Sequence, residues 1–197
     1  MSFTNVSGLE QIRARVAKTL TAGIQLNMST DESKKLLKRH VNKKTNVVII
    51  FIDVNNSTVF PGEYDQAKAC KNALSCTTSI QEIIREVINP AFKENGLPEI
   101  SIRIGLTYGY ALLVLYGNSL EKAYIDIIGS SISLASKIVS IAKPNQVLVG
   151  ESIYNILLSS ESISDSKFIE INLDPTKWKY LSRSDPESMY RVYEYHS

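Results

Sequence analysis

At 197 residues, 44% of them hydrophobic and 21% charged, the chain is long enough for one full-sized core and short for two. A net charge of +2 makes no global case for nucleic acid, and no run reaches the roughly 18 to 20 apolar residues of a membrane span. The N-terminus MSFTNVSGLEQIRARV carries no apolar signal core, so the expectation is a soluble, cytoplasmic protein with no nucleic-acid partner and no membrane span.

In chain order, Leu9, Ile12, Val16 and Leu20 recur at helical spacing and predict a short amphipathic helix over 8–20. Ser29-Thr30-Asp31 cap a second, basic helix over about 31–40, and the run KKLLKRHVNKK (34–44) reads as a solvated face. Residues 1–44 are thus expected as a helical appendage and 45–197 as the domain proper, starting with the strand Asn46 to Asp53. Helices are expected over 64–75 and 79–94, broken around Cys76-Thr77-Thr78 and closed by Asn95-Gly96 with Pro98 beyond. Cys70 and Cys76 are the two cysteines, six apart, and read as free thiols. Two β-rich runs, 100–109 and 110–117, sit close enough for an antiparallel hairpin. A helix over about 131–142 ends at Lys143-Pro144-Asn145. It leads into the strand QVLVG, the short helix ESIYNILLS, and the strand-like stretches FIEIN, WKYLSR and MYRVYEY. The order gives an α+β fold, an α/β sandwich with helices packed on one face of a mainly antiparallel sheet.

Six apolar residues, VVIIFI, run straight into Asp53. A strand apolar on both faces sits inside a sheet, and its C-terminal end opens where functional groups are placed. Asp53 there offers one hard oxygen ligand, and Val54-Asn55-Asn56-Ser57-Thr58 offer a polar turn with free N–H groups, suited to a Mg²⁺-bound triphosphate. An aspartate that merely caps the turn is the plainer reading of the same residues. A phosphoaspartate motif needs a second aspartate two residues on, where Asn55 stands.

Three stretches in order, FIDVNNST (51–58), RIGLTYG (103–109) and DIIGSSISLASKI (126–138), resemble the class III nucleotidyl cyclases, the adenylate and guanylate cyclase homology domain. The resemblance covers about 46–195. It implies the nucleotide cyclase fold, a ferredoxin-like, palm-type sandwich, and conversion of a nucleoside triphosphate, ATP foremost, to a cyclic nucleotide and pyrophosphate. The ribose 3′-oxygen attacks the α-phosphorus, helped by two Mg²⁺ or Mn²⁺ ions, at the interface of a head-to-tail homodimer. By resemblance, Asp53 is a metal ligand with the Val54 carbonyl beside it, and Asn55, Asn56, Ser57 and Thr58 lie against the phosphates. Asp126 reads the base by accepting from an amino group. Ser133 stands where the family has a transition-state asparagine, and Lys137 where it has an arginine. Lysine lacks the bidentate fork of arginine, so charge stabilisation is less directional. Lys177, Lys179 and Arg183 fall where the family supplies a phosphate-binding lysine, with nothing in the sequence to choose among them.

One departure qualifies the resemblance. The family places two helices and a hairpin carrying a Gly-Asp metal ligand and a base-reading lysine before its next helix, whereas only 59–99 intervene here, and the chain has no Gly-Asp pair. Neither Glu63 nor Asp65 is expected to replace that ligand. Loss of two central strands would leave ladder groups unpaired, so the expectation is a segment lacking near 58–59. The alternative is a catalytically degenerate cyclase homology domain that serves as a nucleotide-binding or dimerisation module.

Overall fold

The computed structural model describes residues 8, 10–14, 16–17, 44–52, 56–61, 65–116 and 124–196, with side chains except at 44–52, 56–61, 113, 115–116 and 124–125. Residues 8, 10–14 and 16–17 are helical, in line with the N-terminal periodicity, while the expected basic helix over 31–40 lies outside the described residues.

Strands β1 (Lys44–Ile52) and β2 (Asn56–Pro61) form an antiparallel pair whose register runs from Ile52 opposite Asn56 to Val47 opposite Pro61. Asn56, Ser57 and Thr58 therefore belong to a strand and not to the polar turn expected of them, and β2 passes through Thr58 and Val59 with adjacent rungs on Ile50 and Ile49. Asp53, Val54 and Asn55 lie outside the described residues.

Helix α1 (Gln66–Ile83) is capped by Asp65, whose Oδ1 accepts the Lys68 N–H at 3.0 Å. It runs unbroken through Cys76-Thr77-Thr78, correcting the expected interruption. The Thr77 and Thr78 hydroxyls both donate back to the Leu74 carbonyl, at 2.8 and 3.2 Å, so these poor helix formers are satisfied inside the helix. The irregularity comes later, as a π turn over Ile84–Ile88 leading into α2 (Asn89–Glu94). Pro90 has no N–H for the Glu86 carbonyl four residues back. That carbonyl accepts from Arg13 Nη2 of the N-terminal helix at 3.0 Å.

Strand β3 (Ile104–Tyr116) is one continuous strand of 13 residues, which corrects the hairpin expected at 109–110. It pairs antiparallel with β1, antiparallel with β4 (Tyr124–Ile128) through its C-terminal half, and parallel with β5 (Val147–Gly150). Helix α3 (Ser130–Ile141) follows β4, helix α4 (Glu151–Ser159) follows β5, and β6 (Phe168–Glu170) and β7 (Val192–Tyr195) complete the sheet. The strand order is β2-β1-β3-β5-β7-β6, with β4 on β3.

Alternation along β3 and β5 feeds two cores. Ile104, Leu106, Val147 and Val149 pack with Cys70 and Leu74 of α1 and Ile153 and Leu157 of α4. Leu148 and Val192 face the other way, with Leu134 and Ile138 of α3, Trp178 and Tyr190. Helices thus cover both faces, not one. Glycines on β3 make the second face possible: a Cβ on Gly105 would lie 2.6 Å from the Val139 nitrogen and 3.0 Å from the Ala135 carbonyl oxygen of α3.

Candidate active site

Asp126 stands mid-strand on β4, opposite Val114 of β3, and Ile128 stands opposite Leu112. Directly opposed residues share a face, so Asp126 lies on the same side of the sheet as Tyr110, Leu112 and Ile128. It is exposed, and its Oδ1 accepts the Ile127 N–H at 2.8 Å, which leaves acceptor capacity for a further donor. Gly129 turns the chain from β4 into α3 hard against β3: a Cβ there would lie 2.9 Å from the Tyr110 carbonyl oxygen and 3.2 Å from the Ala111 Cα. Ser133 is exposed and Lys137 half-buried, four residues apart on one face of α3. No hydrogen bond joins Asp126, Ser133 and Lys137 to one another among the described residues.

The tail cations separate cleanly. Lys177 Nζ lies 3.6 Å from Asp174 on its own turn, and Lys179 Nζ donates to the Pro175 carbonyl at 3.0 Å. Arg183 reaches across the fold, its Nη2 donating to the Ser130 Oγ at 3.1 Å at the start of α3. The segment bearing it is a ribbon in which Ser182 N donates to the Ser188 carbonyl at 2.9 Å and Tyr190 N to the Tyr180 carbonyl at 2.8 Å. Trp178 Nε1 donates to the Tyr190 carbonyl at 2.9 Å and holds that ribbon on the core.

Beside the ribbon, the Tyr190 hydroxyl meets Thr107 Oγ1 at 3.1 Å and Ser152 Oγ at 2.9 Å. Burial pushes the Tyr190 phenol up, and its hydrogen bonds with Ser152 and Thr107 only partly offset this, so it serves as a neutral strut. Glu151, at the head of α4, is buried with its carboxylate on Ser182 and on the Arg191 N–H. Sequence reasoning passed over Glu151 because a glutamate in the first turn of an amphipathic helix reads as solvent-facing. Gly150 immediately before it was the available signal: a Cβ there would lie 2.8 Å from the Tyr190 ring, so that turn is packed tightly. Among the described residues, no group of three or more His, Cys, Asp or Glu side chains could hold a metal ion.

The family model for the adenylate and guanylate cyclase catalytic domain matches residues 65–181, more than half of the chain. The match opens at Asp65, the cap of α1, takes in Asp126, Ser133 and Lys137, and leaves β1 and β2 outside. The cytidylate cyclase of Escherichia coli is 29% identical over 84 residues, 42% of this chain and 18% of that protein, so the chain spans only a minor part of this relative. Among solved structures, the guanylyl cyclase Cya2 superposes with a TM-score of 0.54 at 13% identity, covering 98% of this chain and 82% of that one. The guanylate cyclase domain of RhGC from Catenaria anguillulae, solved with GTP, gives a TM-score of 0.50 at 16% identity, covering 78% and 97%. These likenesses establish the fold.

Proposed function

Since this chain belongs to the adenylate and guanylate cyclase catalytic domain family, we propose that it converts a nucleoside triphosphate, ATP foremost, to a 3′,5′-cyclic nucleotide and pyrophosphate. The observation that carries this reading is the strand–glycine–helix unit from Asp126 to Lys137, built on Gly129 and lying inside the matched region. In it, Asp126 accepts from the exocyclic amino group of the base, because an ionised carboxylate can only accept. Ser133 donates to the ribose. Lys137 and Arg183 place positive charge along the triphosphate, where negative charge grows as the ribose 3′-oxygen closes on the α-phosphorus and pyrophosphate leaves.

Asp53 and the Val54 carbonyl are assigned to hold Mg²⁺ or Mn²⁺, two ions in the family's scheme, and Asn55 to lie against the phosphates. The described residues do not fit an ion by themselves. If held there, such ions would supply positive charge to the triphosphate. The site is assigned to a head-to-tail homodimer, which is supported by exposed Tyr110, Leu112 and Ile128 sharing the face of Asp126.

A second base is favoured by a specific observation. The Escherichia coli relative is a cytidylate cyclase, and the cytosine amino group suits the Asp126 carboxylate as well as that of adenine does. Incubating the protein with each of the four nucleoside triphosphates and Mg²⁺ or Mn²⁺ tests both readings. Cyclic product from ATP or CTP, lost in Asp126→Ala, is expected. No product from any of them, with nucleotide binding retained, would instead identify a degenerate binding module.

A further inference from the structure

Glu151 is 4% exposed and is the first residue of α4. Its Oε1 accepts the Ser182 hydroxyl on the outgoing arm of the ribbon. Its Oε2 accepts the Arg191 N–H at 3.0 Å on the returning arm, with Arg191 Nε 3.8 Å away. The backbone completes the clamp, as Glu151 N donates to the Arg191 carbonyl at 2.9 Å. A carboxylate this deep is tolerated because both oxygens are bonded, a guanidinium is near and the helix N-terminus favours negative charge. Nothing in the proposed chemistry uses it. Its contact Ser182 is the residue before Arg183 and also accepts the Ser184 N–H at 3.3 Å, so the backbone on both sides of Arg183 is tied to Glu151.

We propose that Glu151 is a positioning residue for the cyclase site: it pins Ser182 and Arg191 so that Arg183 reaches Ser130 at the start of α3, the helix that carries Ser133 and Lys137. The inference rests on the assignment of Arg183 to the triphosphate and adds the buried group that sets its place. A Gln at 151 keeps the volume but has a single acceptor oxygen. The Arg191 N–H takes that oxygen, the amide NH₂ turns to Ser182, and the Ser182 hydroxyl loses the carboxylate and turns to the Ser184 Oγ, 2.9 Å away, which loosens the tie between Ser182 and position 151.

The test compares Glu151→Gln and Glu151→Ala, each alone and with Arg183→Ala, in the full chain. Readouts are kcat, KM and the affinity for the α,β-methylene analogue of the accepted nucleotide. Glu151→Gln is expected to raise KM and the analogue Kd roughly tenfold, with a smaller change in kcat, and to add nothing in the Arg183→Ala background. Equal losses in both backgrounds would overturn the proposal, since Glu151 would then act on the fold at large. Where Glu151→Ala does not fold, Glu151→Gln carries the comparison. The Arg183 guanidinium signal in ¹⁵N NMR, assigned by its loss in Arg183→Lys, should move in Glu151→Gln, and an unmoved signal overturns the positioning role whether or not the protein turns over nucleotide. A wild-type protein that makes no cyclic product refutes the functional reading alone, and that signal still decides the role of Glu151.

Discussion

Gly109 of β3 lies so close beneath Ser131 of α3 that a Cβ on Gly109 would overlap the Ser131 Oγ and come within 3.2 Å of the Ser131 Cβ. Ser131 is 1% exposed, and among the described residues its hydroxyl has no hydrogen-bond partner. Two opposite outcomes are expected. Gly109→Ala forces the Ser131 hydroxyl to rotate away and presses on the Ser131 Cβ and on Arg183 Nη1, 3.3 Å from the new Cβ, so it should cost about 1–3 kcal/mol, with a loss of turnover because Ser133 and Lys137 ride on that helix. Ser131→Ala removes an unpaired buried hydroxyl and inserts a better helix former, so it should stabilise by about 1 kcal/mol. Urea denaturation of both variants measures this, and a Ser131→Ala protein less stable than wild type would show that the hydroxyl is bonded.

Alkaline pH should loosen the fold through Cys70. Burial, reinforced by Asp65, pushes the fully buried thiol from 9.0 up to about 12. Below pH 9 both folded and unfolded chains keep the proton, and the contribution is fully present. Between pH 9 and 12 the unfolded chain gives up its proton while the folded one holds it, so stability falls as pH rises, by at most about 1.4 kcal/mol per unit for this group. Tyr193, pushed by burial from 10.0 to about 12, acts in the same direction. The urea midpoint should therefore decline between pH 9 and 11, less steeply in Cys70→Ala. An identical decline in that variant would remove Cys70 from the account.

Where the sequence spoke through a single dominant period, the structure agrees with it closely. The helix expected over 131–142 is Ser130–Ile141, and ESIYNILLS is α4 residue for residue, because apolar spacing and a flanking glycine or proline all point the same way. Failures arose where a tertiary contact reassigns a local signal. Gly109 resembles a turn residue but is a packing residue under α3, so two expected strands are one. Thr77 and Thr78 resemble a helix break, yet their hydroxyls bond backward to Leu74 and the helix continues. That Arg183, of the three tail cations, bonds to Ser130 is a contact across 53 residues that no local pattern encodes. Asp126, Ser133 and Lys137 are proposed from family spacing alone, and the matched region 65–181 contains all three.

Restoring the residues of the family pattern on α3 should raise activity. Ser133 offers one short hydroxyl where the pattern has an amide, and Lys137 offers a point charge where it has a planar fork. Ser133→Asn with Lys137→Arg is expected to increase kcat roughly tenfold or more, with a smaller effect on KM, because the gain is made as charge develops on the phosphate. Both positions are incompletely buried, so neither substitution needs the core to repack. Single-turnover rates of the double variant measure the effect, and an unchanged or lower rate would mean that the site is tuned to its own residues.

The proposed dimer can be tested by complementation as well as by mass. Leu112 and Ile128 face each other across the β3–β4 ladder at 44% and 47% exposure, with Tyr110 at 49% on the same face. Leu112→Glu puts a charge in the middle of that apolar patch and should weaken self-association at least tenfold by sedimentation. The site assignment makes a sharper demand. If Asp53 from one subunit and Asp126 from the other complete each site, Asp53→Ala and Asp126→Ala homodimers are both inactive, while their heterodimer has one intact site of two. Half of the dimers in an equal, fully exchanged mixture are heterodimers, so activity should return to about a quarter of wild type. A mixture that stays inactive after exchange would place Asp53 and Asp126 in the same site of a single subunit, or outside the chemistry altogether.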